Sequence, residues 1–226
     1  MRIWRLFLGD IKFQAIYGFY LLYGIVTFSY GVLLLLLPQA WRAKAAVAMI
    51  YSDPAALGLV FMGAIILLEK SQRVLNALAV SPVNVRDYLI AKICSLCLIS
   101  VVSSLVLAII GGLGNLLMIA AATTVTSLIF SLLGLIVGAK ISSLNHYMFA
   151  IVPLEIICFV PPLVYLFEPL SWLTLHPLCG AIALINESSS SLSYDFSRLV
   201  LLSFILFAAA QKSTSRMWQT LGGVKI

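Results

Sequence analysis

Glu155 stands near the centre of the apolar run Tyr147–Phe167, and it is the one acid placed well inside such a run. A carboxyl at that depth in a bilayer is costly, so it points to a function, in substrate binding or in a contact between helices. Pro153, Pro161 and Pro162 lie in the same run. They remove backbone donors and leave carbonyl oxygens able to accept a proton from the acid. His146 and His176 are the only histidines. An intramembrane enzyme would need them beside Glu155. Helix rise puts His146 roughly 13 Å from Glu155, and the charge pattern below sends the two histidines to opposite surfaces. Cys94 and Cys97 form C-x-x-C inside another apolar run. A redox or metal site wants polar surroundings and further ligands, so packing is the expected role. No H-E-x-x-H, G-x-S-x-G or G-x-x-x-x-G-K-[ST] motif occurs. Neither a catalytic residue nor a metal or cofactor bound by this chain is expected, and it has no nucleotide-binding loop of its own.

Polar side chains inside apolar runs are the next candidates. Thr123, Thr124, Thr126, Ser127 and Ser131 share one run, and Ser95, Ser100, Ser103 and Ser104 another. Small hydroxyl residues let helices approach closely. The sharper alternative is a translocation path, with Thr123 and Ser127 as candidates. Tyr17, Tyr20, Tyr23 and Tyr30 fall roughly on one face of the first run. The first two suit an interfacial anchor, whereas Tyr23 and Tyr30 could offer stacking surface to an amphiphilic substrate.

The elements that must position these residues follow from composition. Of 226 residues, 62% are hydrophobic and 10% charged, against about 25% charged in a soluble domain. Mean hydropathy is +1.11. Disorder, a coiled coil, a nucleic-acid-binding domain and an ordinary soluble enzyme are excluded, and an all-α polytopic membrane protein remains. Five apolar runs are clear, at Ile16–Leu37, Ala55–Leu68, Tyr88–Ile110, Leu116–Ala139 and Tyr147–Phe167. A sixth, Leu199–Ala210, is short, which gives about six spans. The second run is short as well and needs residues from Ala45 onward or past Glu69. Residues 1–14 place Ile3, Trp4, Phe7 and Ile11 at helical spacing among charges, the pattern of an amphipathic interfacial helix.

With the amino terminus inside, eleven of the 14 lysines and arginines face the cytoplasm, all but Arg42, Lys44 and Arg198. The positive-inside rule therefore puts both termini in the cytoplasm of a multi-pass protein of the cell membrane. Lys92 is counted among those cytoplasmic charges. No internal repeat is visible, so residues 1–226 read as one membrane domain.

Residues 69–82 follow the second span on the cytoplasmic side. Val74, Leu75, Ala77 and Leu78 make an apolar stripe, with Lys70, Gln72, Arg73 and Asn76 opposite. Ser81-Pro82 ends the helix, since proline disfavours the α conformation in the residue before it. An ordinary amphipathic loop helix would account for this much. Glu69, Leu75, Leu78, Ser81 and Pro82 also fit the pattern E-[RK]-x-x-x-x-L-x-x-L-x-[VT]-[ST]-P, with Lys70 at its basic position and Arg73 a second basic residue within the spacer. In this the chain resembles the permease subunits of ABC-2-type ABC transporters. Where that family often has Gly-Thr before the first leucine, this sequence has Arg73-Val74. The opening Gly9-Asp10-Ile11-Lys12-Phe13-Gln14, followed by Tyr17-Gly18-Phe19-Tyr20, further resembles fluoroquinolone-export permeases.

The resemblance implies a transport subunit of an ATP-driven exporter, not an enzyme. Its substrate would be a hydrophobic or amphiphilic compound, drug-like or lipid-like, moved by alternating access. ATP and Mg would bind a separate ABC ATPase that docks on residues 69–82. A second permease copy or paralogue and the lipid bilayer are the other implied partners, and nucleic acid is not one. The resemblance also implies short re-entrant helices within residues 170–185. From the residues alone, that stretch could equally be a helix lying at the interface. A non-transporting membrane scaffold is a further alternative.

Overall fold

A bilayer offers no water to backbone N–H and C=O groups, so each apolar run must satisfy them internally as a helix. The computed structural model describes residues 2–79, 83–189 and 191–221. Among them the elements are α1 (Arg2–Ile16), α2 (Phe19–Leu36), α3 (Gln39–Ser71), α4 (Val74–Ala79), α5 (Val85–Gly111), α6 (Leu116–Lys140), α7 (Leu144–Phe167), a 3-10 turn (Ser171–Leu175), α8 (Cys179–Ile185) and α9 (Leu192–Leu221). Helices α2, α5, α6, α7 and α9 are each long and apolar enough to cross a membrane.

Helix α3 carries the remaining apolar run in its second half. Its 33 residues make it about 50 Å long at 1.5 Å per residue, well beyond a hydrocarbon core of roughly 30 Å. What reads as an outer loop bearing Arg42 and Lys44 is therefore the first turns of α3. Arg42 turns back and donates to the Leu35 and Leu37 carbonyl oxygens, both at 3.2 Å. It thus covers the orphan acceptors at the end of α2, where a cation also suits the helix dipole. Helix α9 likewise extends the short sixth run in both directions.

Helices α3 and α6 cross closely in the core. A Cβ on Gly134 would lie 2.4 Å from the Leu59 carbonyl oxygen, and one on Gly63 would strike the Tyr147 ring at 1.8 Å. Only glycine lets these backbones and that ring come together. The Tyr147 hydroxyl then donates to the Leu59 carbonyl at 2.6 Å. Helix α7 keeps Pro153, Pro161 and Pro162 within one continuous helix. Pro162 cannot donate to the Cys158 carbonyl one turn earlier. That oxygen instead accepts a 2.7 Å hydrogen bond from the Tyr51 hydroxyl of α3.

Residues 170–185 form two short helical pieces. The 3-10 turn stays at the surface, with Trp172 and Leu175 exposed, whereas all seven residues of α8 are buried. Arg198 of α9 holds the turn, donating to the Thr174 and Leu175 carbonyls at 2.7 and 2.8 Å. At the opposite end of the bundle, α1 packs on the start of α5 and α4 packs on the end of α9, beside the end of α6, so both ends of the described chain share one side. The chain enters α2 from α1 through Gly18, whose φ of +75° suits a residue without a side chain.

Candidate functional site

The side shared by α1, α4 and the end of α9 holds the densest polar chemistry among the described residues. Helix α3 runs out there in Glu69-Lys70-Ser71. Glu69 is buried. One carboxylate oxygen accepts from Lys92 Nζ at 2.5 Å, and the other accepts from the Tyr88 hydroxyl at 2.7 Å. Lys92 also donates to Asp10 Oδ1 at 2.8 Å. Lys92 is fully buried on α5, and its two ion pairs are the only ones among the described residues. Four residues along α1 from Asp10, Gln14 is also buried and donates to Ser95 Oγ at 2.7 Å. Burial pushes the Asp10 carboxyl above its ordinary range, with the Lys92 ammonium pulling in the opposite sense.

Lys70 points to a different neighbour. Its ammonium donates to the carbonyl oxygens of Gly138, Ala139 and Ile141 at 2.8, 3.0 and 2.7 Å. It thereby satisfies the open end of α6 with a charge of the favourable sign. Two consecutive side chains at the end of α3 therefore fasten it to α1, α5 and α6.

After Ser71 the chain turns through Gln72 and Arg73, and Arg73 has φ +58°. Its carbonyl accepts from the Asn76 and Ala77 amides and so opens α4. Gln72 Nε2 contacts the Tyr17 hydroxyl at the elbow between α1 and α2. In α4, Leu75 is fully buried, in a cluster with Tyr88, Met217 and Trp218, while Leu78 is partly buried and Val74 exposed. Residues 69–71 are thus the last turn of α3, and the separate helix begins only at Val74. Ser81 and Pro82 lie outside the described residues.

The other sequence candidates do not converge. Tyr23 is buried edge-on against Phe61. With Tyr20, Thr27, Phe28, Val102 and Ser103 it lines an apolar groove of about 490 Å³ between α2 and α5. Within it the Thr27 and Ser103 hydroxyls lie 2.7 Å apart. Tyr30 is partly buried and packs with the part of the core that includes α8. Thr123 and Ser127 are buried on α6, with Ser127 donating to Ser100 of α5 at 3.1 Å. Glu155 is half-buried, between the buried Ile151 and Cys158 and the exposed Val152 and Ile156.

Residues 2–216 match the model of the fluoroquinolones export permease protein family. The chain belongs to that family. Among its relatives are the fluoroquinolones export permease proteins of two Mycobacterium tuberculosis strains, CDC 1551 / Oshkosh and ATCC 25618 / H37Rv. Each is 30% identical over 165 residues, which cover 71% of this chain and 69% of the relative. The chain is a multi-pass membrane permease.

In the permease Glu69 turns into the bundle, where it pairs with Lys92 and accepts from Tyr88. The carboxylate turns inward because a cation with no other outlet waits there. Lys92 likewise leaves the set of water-exposed cytoplasmic charges and becomes the buried centre of the cluster. A signal for this was present. Lys92 stands among Leu89, Ile90, Ala91 and Ile93, and a lysine in an apolar helix requires an acid within reach. The left-handed turn at Arg73 falls where the ABC-2 pattern often has glycine. A left-handed residue with a side chain costs roughly 1–2 kcal/mol. Arg73→Gly is therefore expected to raise the unfolding midpoint in detergent. A lower midpoint would show that the guanidinium contributes more than the turn costs.

Proposed function

We propose that this permease is the membrane-spanning subunit of an ATP-driven ABC exporter. A separate ABC ATPase binds and hydrolyses Mg-ATP, and two permease subunits, identical or paralogous, form the path. The permease itself makes and breaks no bonds. The observation that carries this reading is the fastening of α3 directly ahead of α4. A push on α4 reaches α9 through Leu75, and reaches α1, α5 and α6 through Glu69 and Lys70. A segment that merely closed a loop would have no need to be tied to four other helices.

The relatives' names point to a fluoroquinolone, an aromatic amphiphile. The groove between α2 and α5 suits such a compound, with Tyr20, Tyr23 and Phe28 offering aromatic surface and Thr27 and Ser103 the polar contact. On this reading Glu155, on α7 and away from this groove, serves a contact between helices, while Tyr30, Thr123 and Ser127 keep the neighbouring helices in place. In inverted membrane vesicles, fluoroquinolone uptake should require hydrolysable ATP and persist when a protonophore collapses the pH gradient. Uptake driven by the gradient without ATP would overturn the proposal.

The orientation has its own test. A cysteine introduced at Ser189 should react with an impermeant maleimide added outside intact cells, and one at the exposed Gln219 should not. The opposite labelling pattern would invert the topology.

A further inference from the structure

A second groove opens between the ends of α6 and α9, on the α4 side of the bundle. Lys140, Lys212 and Arg216 line it, together with Ser213, Ile136 and Met217. Its volume is about 550 Å³. Lys212 and Arg216 are one turn apart on α9 and so share a face. All three cations are exposed, and none makes an ion pair or a hydrogen bond among the described residues. Of the other cations on this side, Arg5, Lys12, Arg73 and Arg86 are exposed but do not line this groove, and two are already engaged. Lys92 is neutralised by Asp10 and Glu69, and Lys70 is spent on the end of α6. Three unpaired cations around one concavity are therefore a local excess of positive charge.

The α9 surface leading away from this groove toward the centre of the bundle is apolar and uncovered. Phe204 and Ile205 are among the most exposed side chains of the helix, and Ala208 and Ala209 follow one turn later. Lys212 and Arg216 continue the same face. Charge at the membrane surface, with an apolar strip running inward from it, is the shape of a phospholipid: an anionic head and two acyl chains. Inorganic phosphate would use the cations but has no need of the strip.

We propose that this groove seats the phosphate head of an anionic phospholipid, held by Lys140, Lys212 and Arg216, with its acyl chains along Phe204, Ile205, Ala208 and Ala209. The site depends on neither the ATPase nor the transported compound, so it can be tested on the permease alone.

The full chain would be purified and placed in phosphatidylcholine nanodiscs with increasing phosphatidylglycerol, and its thermal unfolding followed. A ligand that binds only the folded state raises the midpoint. Phosphatidylglycerol should raise it by several degrees in low salt and less in high salt, and native mass spectrometry should find the lipid retained. The combined variant Lys140→Gln, Lys212→Gln, Arg216→Gln should keep the phosphatidylcholine midpoint and lose most of the shift. If that variant fails to fold, Lys212→Gln and Arg216→Gln singly should each reduce it. Inorganic phosphate should leave the midpoint unmoved. Three results would overturn the assignment: no shift with wild type, a shift that survives the substitutions, or an equal shift with inorganic phosphate, which would mean a soluble-anion site.

Discussion

Lys92→Met is expected to be among the most damaging single substitutions in this permease, at about 3–5 kcal/mol, the range for breaking a buried ion pair by removing one partner. Lys92 is fully buried between Asp10 and Glu69. Taking it away leaves two carboxyls facing each other with no counter-charge, and the Tyr88 hydroxyl can satisfy only one oxygen of Glu69. The cost comes from the stranded acids rather than from the lost lysine. The same principle predicts a rescue, since replacing a whole buried ionic group by neutral residues is often close to neutral. Lys92→Met combined with Asp10→Asn and Glu69→Gln should regain most of the lost stability. Unfolding of the purified variants in detergent measures both effects. A stable single variant, or a triple variant no better than the single, would mean the cluster is wetter than its geometry shows.

How much of this was legible in the sequence depended on whether the signal was local. The spans were legible because an apolar run of bilayer length is a property of one contiguous segment. The amphipathic start was legible for the same reason, and Trp4 remains exposed at a position suited to the interface. The length of α3 was obscured because charged and small residues at Arg42, Lys44 and Ser52 dilute its first half. The Asp10–Lys92–Glu69 cluster joins residues 82 and 23 positions apart. Charge counting assigned Lys92 to the cytoplasmic surface and passed over the two acids. The bias of Lys and Arg toward one side records which end of a helix a charge occupies, not whether it is buried there. The Tyr51 bond to Cys158 was hidden in a similar way. The prolines showed that carbonyls would be freed, but not which distant hydroxyl would take one. Within the candidate site, the Leu75 position followed from the apolar stripe. The inward turn of Glu69 was not legible, because a motif fixes a residue's place in the chain without its rotamer or partner.

Leu75→Asp is the substitution expected to separate folding from coupling. Leu75 is fully buried against Trp218 and Met217 of α9 and Tyr88 of α5. Truncation to alanine at such a site costs about 2–5 kcal/mol. In this permease that cost falls on the seat of α4 and not on the bundle, because α3, α5 and α6 remain fastened through Glu69, Lys70 and the glycine crossing. A charge at position 75 should therefore lift α4 away while leaving the spans inserted. If α4 is the element through which an ATPase acts, the variant should fractionate with the membrane at wild-type levels and unfold within a few degrees of wild type. ATP-dependent fluoroquinolone uptake, or retention of the ATPase during purification, should be lost. Val74→Asp, one residue earlier at an exposed position, controls for charge alone and should retain ATP-dependent uptake. A Leu75→Asp protein that transports at the wild-type rate would exclude α4 as the coupling element. Aggregation of Leu75→Asp would shift the test to Leu75→Ala, for which partial uptake with unchanged membrane content is the expected result.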